Sequence, residues 1–319
     1  MRPLLPTLPA WRSRAATLPL GIDIGTTRVR IALLEPSADG AALVAVAARE
    51  RADDPSESLR DALAELGTHE RRCVLSIAEP EGLIRSIVFP PMPARERALA
   101  AQYEADRFIS REEPIVVRLF PLADPARFAL GIARRSALVG RTTLAKQLGL
   151  QCVAIDNAAF AFERLAQPGD AILDIGELAT TLYLFGDVLP GVQRFDTGGR
   201  RLTQALAESL AIDYATADRR KRALGLSGAA SYTTGALIEA LSAAIITARA
   251  RGLQIERLLV AGNGARLREL LASIAAATAI KTIPLDRLPV ACETLPADVV
   301  RAELPDWALA IALALRGAP

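Results

Sequence analysis

The chain has 319 residues, 51% of them hydrophobic and 23% charged, with a formal net charge of +2; that leaves room for about two domains and marks most of it as globular. Aromatic residues make up only 4% and no long Lys/Arg stripe with interleaved aromatics occurs, which argues against a dedicated nucleic-acid binder. Three widely spaced cysteines (Cys73, Cys152, Cys292) and a single histidine, His69, offer neither zinc-ligand spacing nor a disulfide framework, so a reducing cytoplasm is the default.

Residues 1–19 contain four prolines with Arg2, Arg12 and Arg14, and lack an apolar h-region or a cleavage site; they read as a disordered tail. From Leu20 the pattern predicts strand Gly21–Ile24, a turn, strand Val29–Leu34, a turn at Asp39-Gly40, strand Ala42–Arg49, helix Ser56–Leu66 and strand Cys73–Ile77. Three antiparallel strands feeding a helix and a further strand suit an α/β domain with a mixed sheet. A strand through Ser86–Phe89, halted by prolines, precedes a helical stretch Ala94–Ile109 with Leu99, Tyr103, Arg107 and Phe108 around one face. Strands Ile115–Leu122 and Phe128–Ala133 and helix Ser136–Leu148, stopped by Gly149, complete a small inserted unit. Gln151–Ile155 returns as a strand.

The second half repeats the opening: strand Ala171–Asp174, turn, strand Thr181–Phe185, a Gly186-Asp187 turn and strand Leu189–Phe195. Helices are predicted over Arg200–Leu210, Tyr214–Ala223 and Thr234–Arg251. Strand Arg257–Ala261 then leads through Gly262-Asn263-Gly264 into a helix over Ala265–Ala276, and a last helix, Asp306–Arg316, takes Asp306 as its N-cap after Pro305. The longest apolar stretches, such as Leu270–Ile280 and Trp307–Leu315, are too short to span a bilayer.

The repeat carries the chemistry. Asp23-Ile24-Gly25-Thr26-Thr27 and Asp174-Ile175-Gly176-Glu177 each set a carboxylate and a glycine turn between antiparallel strands. Glycine lets backbone N–H groups approach a phosphate closely, although one such tripeptide alone is more often an ordinary strand-to-turn junction; two of them with matching strands point to a duplicated fold that clamps a nucleotide. Asp23 and Asp174 suit a hydrated Mg²⁺, which is usually held through one or two carboxylates plus phosphate oxygens. Thr26, Thr27, Thr180 and Thr181 could bond phosphate oxygens. Gly262-Asn263-Gly264 either aims helix N–H groups at a ligand or is a plain tight turn. Asp218 and Lys221, at helical spacing i, i+3, either reach ribose hydroxyls and the adenine edge or form a surface ion pair. Arg219-Arg220-Lys221-Arg222 is a solvated helix face or a phosphate or membrane patch.

In this order the segments resemble the phosphate-1, phosphate-2 and adenosine motifs of the actin-like ATPase superfamily, and within it the PilM family of type IV pilus assembly. Further matches are Phe89-Pro90-Pro91-Met92 with Glu104-Ala105 and Phe108-Ile109, Val153-Ala154-Ile155-Asp156 with Ala161, and Arg194 through Gly198-Gly199 to Leu202-Thr203. Ala217-Asp218 with Lys221, and Ala312-Leu313-Ala314-Leu315-Arg316, add two more. The match covers nearly everything from Leu20 to Arg316. It implies an actin-like α/β fold of two ribonuclease H-like duplicated halves with an FtsA/PilM-type inserted 1C subdomain. The divisions would be a tail at 1–19, subdomain 1A at 20–79 and 150–168, the insertion at 80–149, subdomain 2A at 169–203 and 256–319, and subdomain 2B at 204–255.

The resemblance further implies ATP and Mg²⁺ binding, with Gly25, Thr26, Thr27, Gly176, Thr180, Gly198, Gly199, Asp218, Lys221, Gly262 and Gly264 at the nucleotide and Asp23 and Asp174 at the metal through water. It implies recruitment of the cytoplasmic tail of a PilN-like inner-membrane protein, a cytoplasmic location at the inner membrane, and at most slow ATP turnover. Asp156 and Asn157 fall near where the superfamily places a polar residue facing the cleft, and helix capping suits them equally. Glu177, Asn263 and Asp218 depart from the family pattern. A carboxylate about 4 Å from a phosphate costs roughly 4 kcal/mol at an effective dielectric near 20, so Glu177 is expected to point away or to meet the metal. Two rival readings share the motifs: a sugar-type small-molecule kinase, and a degenerate scaffold that binds only peptide, with the type II secretion protein GspL as a related analogue.

Overall fold

The computed structural model describes residues 18–316 except 39, 111, 187, 227, 229 and 293–296, with the main chain alone for 297–302; Asp39 and Asp187 of the expected turns and nearly all of the expected tail lie outside the described residues. Strand β1 (Leu20–Ile24) pairs antiparallel with β2 (Arg28–Ser37), which pairs antiparallel with β3 (Gly40–Glu50). Helix α1 (Pro55–Leu66) starts where sequence chemistry dictates: Pro55 opens it, the Asp54 side chain accepts the Ser56 N–H at 2.9 Å, and left-handed Gly67 closes it. Strand β4 (Arg72–Ile77) returns parallel to β1.

The inserted unit follows as β5 (Gly82–Val88), α2 (Ala94–Ala105), β6 (Ile115–Pro121), β7 (Arg127–Arg134) and α3 (Arg135–Gln147). Its antiparallel sheet, β5-β7-β6, has a core of its own around Leu83, Phe89, Val117, Phe128, Leu130 and Ile132. Helix α2 stops at Ala105, short of the expected Ile109, and packs through Ala101 and Ala105; Leu99 and Tyr103 face solvent. Strand β8 (Gln151–Asn157) then pairs parallel with β4, and helix α4 (Ala158–Glu163) follows. Cys73 and Cys152, far apart in sequence, are register partners on β4 and β8, and both are free thiols.

The second half comprises β9 (Asp170–Ile175), β10 (Thr180–Leu184), β11 (Gly191–Phe195), α5 (Gly199–Leu210), α6 (Tyr214–Leu224), α7 (Ser231–Ala250), β12 (Arg257–Ala261), α8 (Arg268–Thr278), β13 (Lys281–Pro284) and α9 (Ala297–Ala314). Its sheet order, β11-β10-β9-β12-β13, reproduces β3-β2-β1-β4-β8 strand for strand. Antiparallel and parallel pairings fall in the same places, so the repeat of Asp-Ile-Gly in sequence is a repeat of whole domains in space.

Two expectations are corrected. The residues after Gly262 form a 3-10 turn, Asn263–Arg266, and α8 begins only at Arg268. Helix α9 begins at Ala297 and runs through Pro305, so Asp306 lies inside it and caps nothing. Alanines let α9 sit close: a Cβ on Gly21 of β1 would stand 1.8 Å from the Ala310 carbonyl oxygen. Ala308, Ala312 and Leu313 share one core cluster with Phe162 of α4 and with Ile172 and Tyr183 of the second sheet, and Ala310 and Ile311 share another with Leu34 and Leu43 of the first. The helix thereby joins the two halves at the base of a cleft. Among the described residues no helix is long and apolar enough to cross a membrane.

Candidate functional site

A cleft of about 2040 Å3 opens between the halves, and the two hairpins face into it. They are built alike. Gly25 donates its N–H to the Arg28 carbonyl at 2.9 Å, and Gly176 donates to the Ala179 carbonyl at 3.0 Å. Asp23 and Asp174 each stand just before the turn at the cleft end of a central strand.

Their surroundings differ because their cross-strand partners differ. Asp23 lies in register with Arg30, whose Nη1 donates to Asp23 Oδ2 at 3.3 Å. Arg30 Nη2 donates to Asp306 Oδ1 at 2.5 Å, and Arg28 Nη1 to Asp306 Oδ2 at 3.3 Å. Arg30 Nε is buried with no hydrogen-bond partner among the described residues. Asp174 lies in register with Thr181 instead, and among the described residues no hydrogen bond or ion pair engages its carboxylate. Burial, and then the charge of Asp23, push the Asp174 carboxyl up to about 7. Burial also raises the Asp23 carboxyl, with Arg30 opposing.

Room for Asp174 is made by Gly262, at φ +75, where a Cβ would stand 2.7 Å from Asp174 Oδ1. The Gly262 N–H donates to the Pro305 carbonyl at 2.8 Å, tying this turn to the helix that carries Asp306. Gly264 packs on Ile175, where a Cβ would stand 2.3 Å from the Ile175 Cβ.

The remaining expected residues fall into two groups. Gly25, Thr26, Thr27, Gly176, Thr181, Gly199, Asp218, Lys221, Gly262 and Gly264 line the cleft together with Asp23 and Asp174. Thr180 and Gly198 lie behind it. Thr180 is fully buried and its Oγ1 donates to the Thr197 carbonyl at 2.6 Å, and Gly198 packs against Gly176 and Ala179. Lys221 Nζ lies 3.2 Å from Asp218 Oδ1 and donates to the Gly199 carbonyl at 3.1 Å and to Thr203 Oγ1. It pins α6 onto the first turn of α5.

Glu177 neither points out to solvent nor joins the aspartates. Its carboxylate leans over Gly199, where it accepts from the Tyr214 hydroxyl at 3.4 Å and sits 3.7 Å from Arg200 Nε. Asp156 is buried between Arg164 at 2.6 Å and Arg316 at 2.9 Å. The Asn157 side chain accepts from the Ala159 N–H at 2.9 Å and caps α4. Neither is among the residues that line the cleft.

Sequence reasoning missed Arg28, Arg30 and Asp306. The signal for the arginines was present: in a strand, residues 28, 30, 32 and 34 share one face, and two cations on the face that continues into Ala32 and Leu34 ask for a partner. Asp306 was masked by the proline before it.

Hard oxygen donors with few protein ligands fit hydrated Mg²⁺. Asp174 offers an open carboxylate and Asp23 meets Arg30 through Oδ2, with Oδ1 outside that contact, while no group of three or more His, Cys, Asp or Glu side chains forms a direct cage among the described residues. The residues present therefore fit an ion held through water.

Two five-stranded sheets of one order, meeting at a cleft through paired Asp-Ile-Gly turns, are the architecture of actin-like ATPases. Among solved structures the chain is similar to the PilM–PilN type IV pilus biogenesis complex, at 24% identity over 94% of this chain and 98% of that chain, with a TM-score of 0.81. It is also similar to the ethanolamine utilization protein EutJ from Carboxydothermus hydrogenoformans (14%, covering 94% and 90%, TM-score 0.56). The (R)-2-hydroxyglutaryl-CoA dehydratase component A of Acidaminococcus fermentans is a third (12%, covering 94% and 97%, TM-score 0.51). At these identities the likeness is one of fold. No family model matches the chain, and no curated protein matches it by sequence.

Proposed function

We propose that this chain is a cytoplasmic ATP-binding scaffold of type IV pilus assembly, or of a related pilus or secretion machine, which holds the tail of a PilN-like inner-membrane protein. The observation that carries the nucleotide half is the cleft floor, where the Asp174 carboxylate, unengaged among the described residues, stands near Asp23 between two glycine hairpins. Such a carboxylate is costly to leave unmatched, and a metal-bound polyphosphate supplies its cation.

In this reading Gly25, Thr26, Thr27 and Gly176 hold phosphates, and Asp23 and Asp174 hold hydrated Mg²⁺, which supplies charge neutralisation. Asp218 and Lys221, with the Gly262 and Gly264 turn, hold the nucleoside. Gly199 faces the nucleotide beside the second hairpin, and Gly198 and Thr180 support that hairpin from behind. Occupancy sets the angle between the halves. The partner's tail would enter the arm of the same cleft lined by Val139, Gly140 and Thr143 of α3 and by Arg51, Asp54 and Pro55 beside α1. The likeness to a solved complex with PilN supports a partner of this kind.

Calorimetry with ATP and Mg²⁺ tests the nucleotide half: binding is expected in the wild type and should be lost in Asp23→Ala. Silence in the wild type would leave only a peptide scaffold, which retention on an immobilised PilN-like tail would reveal.

A further inference from the structure

Two of the three thiols form a built pair. Cys73 on β4 and Cys152 on β8 are register partners of parallel strands, and both side chains pack into one core cluster with Leu75, Leu144 and Leu150. They therefore stand on the same face of the sheet. Neighbouring strands lie about 4.8 Å apart, inside the roughly 4.4–6.8 Å between Cα atoms that a disulfide spans. Immediately beyond the pair the ladder slips by one residue, Val74 pairing with Ala154, and a bulge of this kind gives β8 room to adjust as the sulfurs close.

The partners differ in access and in chemistry. Cys73 is fully buried, whereas Cys152 is half-buried on β8, the outermost strand of its sheet. A hydrogen bond with Cys73 holds the Cys152 thiol down to about 7, and the same contact, together with burial, pushes the Cys73 thiol up. The thiolate is the nucleophile, so the accessible member of the pair is also the one that reacts first, with a resolving thiol poised behind it. Cys292 has no such help, and burial pushes its thiol up. Topology gives the pair a consequence: β4 leads the chain into the inserted unit and β8 receives it back. A bond between Cys73 and Cys152 closes a loop that contains the whole insertion, and Ser76, farther along β4, lines the cleft.

We propose that Cys73 and Cys152 are a redox modification site, which hydrogen peroxide converts into a reversible disulfide across the stem of the inserted unit. The Cys152 thiolate attacks one peroxide oxygen, the O–O bond breaks, and the departing hydroxide takes up the proton that Cys152 released, leaving a sulfenic acid and one water. The Cys73 sulfur then attacks the Cys152 sulfur, the S–O bond breaks, and the hydroxyl leaves with the Cys73 proton as a second water. Two thiols lose two electrons and the peroxide gains them. Exchange with a small thiol reverses the bond, as suits a reducing compartment, where disulfides are transient and redox-sensing.

The test is thiol counting on the full chain. Protein exposed to a few equivalents of hydrogen peroxide is unfolded, alkylated with iodoacetamide and weighed. The reduced chain takes up three alkyl groups, one for each cysteine; the oxidised chain should take up one, at Cys292, and a tryptic digest should yield the Cys73 and Cys152 peptides joined. Dithiothreitol should restore all three sites. Cys292→Ser should form the same cross-link, and Cys152→Ser should leave Cys73 reduced. The proposal is overturned if all three thiols of the treated wild type still alkylate, if Cys152 goes on to sulfinic acid while Cys73 stays free, or if the cross-link involves Cys292 or joins two molecules. Each of these outcomes is read on the wild type, so a variant that fails to fold does not shelter the proposal.

Discussion

Replacing Asp306 with alanine removes an acceptor shared by two arginines of β2. The Asp306 side chain is 3% exposed and that of Arg30 is 9%, so water cannot take the place of the lost carboxylate. Taking one partner from a buried ion pair costs about 3–5 kcal/mol. Two features place this case at the lower end: Arg30 keeps Asp23 at 3.3 Å, and the Arg28 side chain, 36% exposed, can rehydrate. The expected loss is about 3 kcal/mol, read as a lower denaturant midpoint at unchanged slope. Asp306→Asn keeps an acceptor oxygen and should lose about 1–2 kcal/mol. If both variants lose less than about 1 kcal/mol, the three groups behave as a solvated surface pair, and the argument that Asp306 holds Arg30 in place at the cleft floor is refuted.

Asp174 makes stability depend on pH. The folded carboxyl keeps its proton up to about 7, whereas the unfolded one loses it near 4; between those values the folded state binds more protons, so stability falls as pH rises. Asp174→Asn should therefore be more stable than wild type at pH 8 by on the order of 2 kcal/mol, allowing for the opening of this carboxylate onto the cleft, and the gap should close below about pH 4 in denaturation at a series of pH values. Glu177→Ala should change ATP affinity by less than about fivefold, an exposed-pair effect of under 1 kcal/mol, because Tyr214 and Arg200 already hold the carboxylate over Gly199; a gain near a thousandfold in calorimetry would mean that it faces phosphate after all. Gly262→Ala forces a Cβ onto Asp174 at φ +75, ψ 178, and should cost about 1–3 kcal/mol for a residue held in that glycine-only backbone region in the same denaturation assay.

The duplication was legible because turn chemistry and strand period are local. Asp-Ile-Gly between apolar runs marks a strand-to-turn junction, its recurrence at 23–25 and 174–176 pointed to matching hairpins, and both formed with matching hydrogen bonds. Helix α1 was equally readable, its start at Pro55 falling one residue from the expected Ser56. What failed depended on partners distant in sequence. Pro305 looked like a start signal, yet α9 runs through it, buried between the two halves, and tertiary packing outweighed the local rule. β13 is a four-residue edge strand ending in proline, too short for a period to show. The Arg30–Asp306 contact joins residues 276 apart, and Asp156, with Arg164 and Arg316 around it, was open in sequence to either a cleft or a capping role. A carboxylate's neighbours, and hence its chemistry, are set by topology that the residues beside it in sequence do not encode.

If the paired hairpins clamp a metal-bound nucleotide, a crystal structure of the full chain with Mg²⁺ and a non-hydrolysable ATP analogue will show it. The phosphates are expected between the Gly25 and Gly176 turns, with the ion linked to Asp23 and Asp174 through water. A nucleotide bound elsewhere, or a cleft left empty at saturating analogue with Asp174 still unengaged, would contradict it.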